Sequence, residues 1–198
     1  EFGLSVGESA KLAESAGEIA VGLGMTLEES QKLLGTLTTI GGLSTKQAED
    51  FAKQAASLAE ANNVAPDEVL NDIAGNTELF ATYAKDGGTN IARAAIQARK
   101  LGVEITDITG SMDAMLDFQG SLNSEIEASV MLGRNLNLQK ARELSLAGDI
   151  EGFQKEILKQ VGSEAEFNKM NVLQKQALAK ATGLTVDKLS KMVSKEKE

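Results

Sequence analysis

Glycine recurs along this chain at intervals of about one short helix, and that pattern limits the fold more than any other feature. The 198 residues include 19 glycines and a single proline. Several glycines stand where helical periodicity stops, and glycine suits the left-handed position after a helix because it lacks a Cβ. These positions are Gly24, Gly41, Gly42, Gly75, Gly87, Gly88, Gly102, Gly133, Gly148, Gly162 and Gly183. The spacing predicts many short helices and argues against a long continuous rod.

Helix-start signals follow many of these glycines. A serine or threonine with a glutamate or glutamine three residues later fits a capping box, in which the two residues cap each other's backbone N–H groups. Pro66 fits the first turn of a helix, and Leu184 with Leu189 fits a hydrophobic staple around Thr185. The four predicted boxes are Ser5 with Glu8, Thr26 with Glu29, Ser44 with Gln47, and Ser163 with Glu166.

Together these signals predict an all-α fold of about ten short helices packed at varied angles, with no significant sheet. Val103 to Thr106 is the only short alternating run. Residues 1–198 are predicted to form a single helical region, with a weak division near 86–89 and a frayed tail over 191–198. Gly110 and Gly120 are candidate breaks in the longest segment. The predicted helices lie near 5–23, 27–40, 45–62, 66–74, 77–85, 89–101, 106–132, 137–147, 149–161, 164–169, 171–182 and 185–196.

The composition excludes the commonest kinds of catalytic site and zinc site. The chain has no His and no Cys, which removes the usual catalytic triads, the usual zinc ligands and the commonest general base. We therefore expect a protein that is not an enzyme, with no catalytic, cofactor-binding or metal-ligating residue and no cofactor. The net charge of −9 argues against nucleic acid and anionic membranes as partners. No apolar run reaches about 18 residues, so no membrane segment is predicted.

Some patterns resemble sites but are better explained as ordinary helix chemistry. A cation site needs several converging oxygens, and two carboxylates one turn apart more often form a solvated face. Gly22-Leu23-Gly24 lacks the third glycine of a dinucleotide fingerprint and follows a helix. Ser190 and Lys191 are adjacent in sequence, and adjacent helical residues do not face each other, which argues against a nucleophilic dyad. The patterns weighed in this way are Asp113 with Asp117, Glu125 with Ser129, Glu151 with Lys155, Gly22 to Gly24, and a Ser190–Lys191 dyad.

Two further patterns leave alternatives open. Residues 171–196 resemble a helix-turn-helix, with Ala179, Gly183 and Leu184 at the turn. A nucleic-acid-binding module using this pair is the alternative function, although the second helix carries lysines and no Arg, Asn or Gln to contact bases. The six methionines could line an adaptable partner groove or simply fill the core; they are Met25, Met112, Met115, Met131, Met170 and Met192.

The stretch from Met115 to Gly162 is the most informative part of the chain. It is predicted to form three helices, cut at Gly133 and Gly148. Helices this short must pack on one another to be stable. Its first apolar residues follow helical spacing; they are Met115, Phe118, Leu122, Ile126 and Val130.

The order of residues in this stretch resembles a segment of tail tape measure proteins from long-tailed bacteriophages and prophages. The resemblance is moderate over roughly residues 40–190 and weak before them. The residues that carry it are Leu116-Asp117-Phe118, Ser121, Glu125-x-Glu127, Leu132-Gly133-Arg134, Leu136-Asn137-Leu138, Ala141-Arg142, Ala147-Gly148-Asp149, Glu156-Ile157 and Val161-Gly162.

Tape measure proteins are long, mostly helical virion proteins that set tail length and leave through the tail tube during infection. The resemblance implies a structural module of a longer chain, which fits a sequence that begins at Glu1-Phe2. It also implies assembly in the bacterial cytoplasm, location in the virion tail, and possible self-association. The implied partners are tail tube, tail tip or assembly chaperone proteins. Because sustained heptads and long hydrophobic segments are missing, we expect a compact module rather than the straight ruler.

Overall fold

The computed structural model describes residues 6–196. Glu1 and Phe2, the predicted capping box of Ser5 with Glu8, and the end of the predicted tail lie outside the described residues.

The all-α prediction is confirmed, because the described part of the chain contains thirteen α-helices and a short 3₁₀ turn but no strand. The number exceeds the predicted ten partly because the predicted 106–132 helix divides at Asp117. The carboxylate of Asp117 accepts a hydrogen bond from the backbone N–H of Gly120 at 3.1 Å, so Asp117 caps a new helix. Gly110 lies inside the helix before this break. A Cβ on Gly120 would overlap the Asp117 carboxylate.

The chain forms two compact units, which divide between Ile96 and Gln97. This division lies inside a helix and beyond the 86–89 segment favoured by the sequence. Unit 1 contains α1 Val6–Leu23, α2 Leu27–Thr39, α3 Thr45–Ala61, α4 Pro66–Gly75, α5 Thr77–Tyr83, the 3₁₀ turn Asp86–Gly88, and most of α6 Thr89–Lys100.

The core of unit 1 is centred on α2, which contacts α1, α3 and α4. Leu33, Leu34 and Leu37 on its inner side are fully buried. The capping boxes of Thr26 with Glu29 and Ser44 with Gln47 are confirmed. Pro66 is confirmed in the first turn of α4.

The 3₁₀ turn packs closely on the rest of unit 1. Phe80 lies against Gly88, where an added Cβ would overlap its ring. The same ring meets Phe51 edge to face, with 6.1 Å between ring centroids. Tyr83 is buried, and its carbonyl accepts a hydrogen bond from the Asn90 side chain at 2.7 Å. These contacts hold the 86–89 segment within unit 1.

Unit 2 is built around α7, α9 and α10, with Ile108, Met112, Phe153 and Ile157 fully buried. The capping box of Ser163 with Glu166 is confirmed. Its helices are α7 Ile105–Leu116, α8 Phe118–Leu132, α9 Gln139–Ala147, α10 Ile150–Val161, α11 Glu164–Lys169, α12 Val172–Thr182 and α13 Val186–Lys195.

The predicted frayed tail needs correction over 191–195. Helix α13 continues to Lys195, and Met192 and Val193 are buried. The charged residues of this segment suggested that it is solvated. The two apolar residues, however, lie on the same side of the helix as Leu189 and pack into unit 2.

Candidate functional site

Helix α8 presents its large apolar side chains to solvent. Phe118, Leu122, Ile126 and Val130 are 47%, 46%, 63% and 77% exposed. Residues four apart lie one above another on a helix, so the four form one continuous line, which we call the α8 stripe. The only buried residues of α8 are Ser121 and Ala128. An amphipathic helix normally buries its apolar side, and α8 does the reverse.

A buried ion pair explains why the polar side of α8 faces inward. Arg142 of α9 donates hydrogen bonds to the Ser121 hydroxyl at 2.9 Å and to the Glu125 carboxylate at 2.6 Å. The Arg142 and Glu125 side chains are only 9% and 15% exposed. A buried charge without a partner is strongly destabilising. Once Arg142 is inside, α8 must therefore turn Ser121 and Glu125 towards it.

The end of α8 is also held by polar contacts. The Ser129 hydroxyl donates to the Glu125 carbonyl at 2.8 Å and accepts from the Leu136 backbone N–H at 3.0 Å. In the following loop, the Arg134 guanidinium donates to the Gln160 carbonyl at the end of α10, at 2.6 Å. These contacts fix the rotation of α8 about its own axis.

The contact between α8 and α12 is the most extensive contact between two helices in the described part of the chain. The Lys180 ammonium pairs with the Glu127 carboxylate at 2.6 Å. The Gln174 side chain donates to the Met131 carbonyl at 3.1 Å. With Ala128 buried, α8 uses a small side chain where its interior side meets its neighbours, which leaves the large ones outside.

The stripe carries no charge. Glu125 and Glu127 are the only charged residues of α8; Glu125 is buried against Arg142, and Glu127 forms a solvent-exposed pair with Lys180. At 3.6 residues per turn, Gln119 and Ser129 lie within the arc of the stripe, and Asn123 lies just beside it. The stripe is thus an uncharged apolar line on unit 2, whose residues 97–198 are nearly neutral as a whole, with 14 Lys and Arg against 15 Asp and Glu.

Helical spacing in the sequence grouped the four residues of the stripe, but it did not predict that they face solvent. Helical spacing grouped them with Met115, which is 1% exposed and belongs to α7. The missed residues are Arg142, Glu125 and Ser121 as one cluster. The available signal was the inward set of Ser121, Glu125 and Ala128, which is also spaced for one side of a helix.

The carboxylate pairs do not form a cation site. Asp117 caps α8, as described above, and Glu125 pairs with Arg142. Glu151 lies in the first turn of α10, where a negative charge interacts favourably with the helix dipole. Gly24 ends α1 with a φ of 71°. Within residues 6–196, no three acidic groups converge in a way that could hold a metal ion.

In the helix-turn-helix pair of α12 and α13, two lysines of α13 are paired with carboxylates. The Lys188 ammonium lies 2.8 Å from the Asp107 carboxylate, and this hydrogen bond raises the lysine pKa. The Lys191 ammonium lies 2.9 Å from Asp187, which also removes it from a dyad with Ser190. Both ion pairs lie within unit 2 and offset part of the positive charge of α13.

Most of the methionines fill the core instead of lining a groove. Met25, Met112, Met115 and Met192 are buried, and Met131 at the end of α8 is 45% exposed.

A polar groove of about 300 Å³ lies between α9 and α10. Its charges neutralise each other locally, with Lys140 3.4 Å from Glu143 and Lys159 3.7 Å from Glu156. Both lysines are well exposed, and the largely buried Glu156 carboxylate is already bound by the Gln160 amide at 2.8 Å.

Comparison of the chain with protein-family models, curated proteins and solved structures found no match. Among the described helices, none combines the length and the apolar character needed to cross a membrane.

Proposed function

We propose that this chain is a structural interaction module of a bacteriophage or prophage tail tape measure protein, involved in tail assembly and tail length determination. Two observations support the proposal and fall in the same stretch. One is the order of residues from Met115 to Gly162, and the other is the exposed, uncharged α8 stripe. The stripe is the observation that carries the proposal, because contiguous exposed apolar residues mark surfaces that other proteins cover.

The contacts on the inner side of α8 prepare the stripe for binding, because they fix the orientation of the helix. Arg142 and Glu125 hold one side of the helix in place. The stripe therefore has a fixed orientation before a partner binds, and α8 does not have to become ordered on binding. A preorganised surface loses less entropy on association. The module would act by contact with other proteins of the tail, and no chemical step is assigned to it.

The size of the stripe suggests a contact that needs help from the parent chain. Full burial of one such side chain contributes about 1.5–3 kcal/mol, and the four are already roughly half buried on average. The remaining gain, about 3–7 kcal/mol, lies near the low end of the cost of association. Tethering within a long parent chain raises the effective concentration and strengthens such a contact.

Deletion of the module from the parent gene tests the proposal. Removing the codons for residues 6–196 should reduce the number of complete tails seen by electron microscopy. A straight helix of 198 residues would span about 300 Å at 1.5 Å per residue. Because these residues fold into two compact units of short helices, we expect surviving tails to shorten by less than this. Normal numbers of tails with unchanged length would reject the proposal.

A double substitution tests the role of the stripe separately from the stability of the fold. The double substitution Leu122→Asn with Ile126→Asn should reduce tail number while leaving the module folded. Leu146→Asn is the matched control, because Leu146 is 65% exposed on α9 and lies outside the stripe. Equal loss of tails in both variants would show that the stripe has no special role.

A further inference from the structure

We propose that the α8 stripe is covered by an amphipathic α-helix of another protein, whose apolar side follows the stripe onto α12 and whose acidic residues lie over the start of α12. This inference rests on the proposed function and deepens it by naming the chemistry of the partner. Three features of unit 2 support it: the path of the stripe around α8, the exposed apolar residues that continue it on α12, and the charges beside them.

The stripe winds around α8 towards α12. At 3.6 residues per turn, each step of four residues moves about 40° around the helix, so the whole stripe turns by about 120°. Phe118 lies about 20° from Glu125 around the axis, and the Glu125 carboxylate faces α9. Val130 lies about 60° from Glu127, which pairs with Lys180 of α12. The stripe therefore begins beside α9 and ends on the side of α8 that meets α12.

The apolar surface continues from the end of α8 onto the start of α12. The Gln174 side chain donates to the Met131 carbonyl at 3.1 Å, which places the first turn of α12 beside the last turn of α8. Met131, Val172 and Leu173 are 45%, 69% and 62% exposed. With the four residues of the stripe they form one exposed apolar surface shared by two helices, which we call the α8–α12 surface.

The construction of this surface favours a helix as its partner. The described residues contain no strand, so they offer no sheet edge to which an extended peptide can add. Side chains four residues apart form an inclined ridge, and such ridges pack into the grooves of a crossing helix. A membrane is less suitable, because interfacial membrane helices are rich in Lys and Arg and α8 contains neither.

The charges beside the α8–α12 surface favour an acidic partner. Lys175 and Lys180 are the only charged residues of α12. Lys180 pairs with Glu127, whereas Lys175 lies over the uncharged ring of Phe167, a contact that leaves its positive charge in place. The N-terminus of α12, at Val172, adds the positive end of a helix dipole. Acidic residues of a partner are therefore attracted to the start of α12.

The charges of the neighbouring α11 do not cancel this attraction. A backbone hydrogen bond from the helix cap is the main cause that lowers the pKa of Glu166, and the positive charges of Arg134 and Lys169 contribute to the lowering. The two carboxylates of α11, Glu164 and Glu166, are thus accompanied by two cations. The positive charge of Lys175 remains in excess.

Fluorescence anisotropy with synthetic peptides tests the chemistry of the partner on the full 198-residue chain. The probe is a labelled amphipathic peptide of about 20 residues, which spans about 30 Å as a helix. It carries leucines on one side with glutamates beside them, and a matched probe has lysine in place of each glutamate. We expect the glutamate peptide to bind at least about tenfold more tightly than the lysine peptide, with an affinity that falls as salt is raised. Equal affinity, or tighter binding of the lysine peptide, would overturn the acidic partner.

Substitutions in the chain locate the binding. Leu122→Asn with Ile126→Asn should weaken binding of the glutamate peptide by at least about tenfold, while Leu146→Asn on α9 leaves it unchanged. Lys175→Glu should abolish the preference for the glutamate peptide. Lys155→Glu is the matched control, because it makes the same charge change at an exposed position of α10, and it should keep the preference. Far-UV circular dichroism checks that each variant is folded.

Other outcomes overturn the helix as the occupant of the stripe. One is a glutamate peptide that does not bind at chain concentrations on the order of 1 mM, the limit of a very weak contact. Another is binding that the Leu122 and Ile126 substitutions do not change. Binding to vesicles of anionic lipid that is lost in the same double variant would assign the stripe to a membrane. A dimer in sedimentation that is lost in that variant would assign it to a second copy.

Failure of this inference can be distinguished from failure of the proposed function. If neither peptide binds but the Leu122 and Ile126 substitutions still reduce tail number in the virus, the inference fails and the proposed function survives, with a partner of different chemistry. Normal tails after deletion of the module would reject the proposed function even if the glutamate peptide binds.

Discussion

At the scale of single residues, Glu166 joins helix capping to acid sensitivity. Its carboxylate accepts hydrogen bonds from the Ser163 backbone N–H and hydroxyl, both at 2.8 Å. The backbone hydrogen bond is the main cause that lowers the Glu166 pKa below its ordinary value of 4.5, and the Ser163 hydroxyl adds to it. Because the folded state favours the ionised carboxylate, this group stabilises the fold above the unfolded pKa.

We expect Glu166→Gln to remove part of the acid sensitivity of unit 2. Glutamine can still accept the Ser163 bonds but does not titrate. In the unaltered chain the contribution is full above pH 4.5 and is lost as the pH falls through the lowered folded pKa. The difference in unfolding free energy between the two chains should therefore shrink below pH 4.5. Urea unfolding at neutral pH and at several acidic pH values measures it, and a difference independent of pH would contradict the assignment.

Local capping could be predicted from the sequence because both partners lie within one turn. The boxes of Thr26, Ser44 and Ser163 follow from residues three positions apart. The pair of Arg142 with Glu125 could not be predicted in this way, since its residues lie on different helices and meet only after α8 and α9 have packed. The sequence spacing gave no indication that this arginine is buried.

At the scale of the helix, α8 shows that the side selected for burial depends on its neighbours. Its inner side contains Ser121, Glu125 and Ala128, which leave room for the Arg142 side chain and for α12. The strong apolar spacing of the same helix lies on the other side. Helical periodicity thus predicted that α8 forms, but it could not say which side would meet the core, because that choice depends on a charge brought by α9.

Two substitutions on α8 should reverse the order of stability expected from hydrophobicity. Ala128→Leu adds apolar atoms but is expected to cost about 1–3 kcal/mol, because Ala128 is fully buried and the extra volume overpacks the helix contact. Val130→Asn removes apolar atoms but should change stability by no more than about 0.5 kcal/mol, because Val130 is 77% exposed and exposed positions usually tolerate substitution. Urea unfolding of the monomer compares them, and a greater loss for Val130→Asn would show that the stripe is part of the core.

At the scale of the whole molecule, two cores share one chain. Leu34 is fully buried in unit 1, and Phe153 is fully buried in unit 2. The all-helical class followed from glycine spacing and capping signals, which are local. The division at Ile96 and Gln97 did not, because it falls inside α6 and no glycine or proline marks it.

Each core should respond to its own substitutions. Leu34→Ala should destabilise unit 1 by about 3 kcal/mol through the cavity it leaves, and should accelerate amide hydrogen exchange in α2 and α4. The exchange of α10 should change little, because local stability follows cooperative units. Phe153→Ala is the reciprocal variant, with faster exchange in α10 and little change in α2. Equal acceleration in both units after either substitution would mean that they unfold as one.

The buried ring of Tyr83 has a practical consequence for optical measurements. The chain contains one tyrosine and no tryptophan, and that tyrosine belongs to unit 1. Intrinsic fluorescence therefore has a single source, and a melting curve recorded from it follows the surroundings of Tyr83. The half of the molecule that bears the α8 stripe contributes no native fluorophore of this kind, so its unfolding must be followed through the backbone.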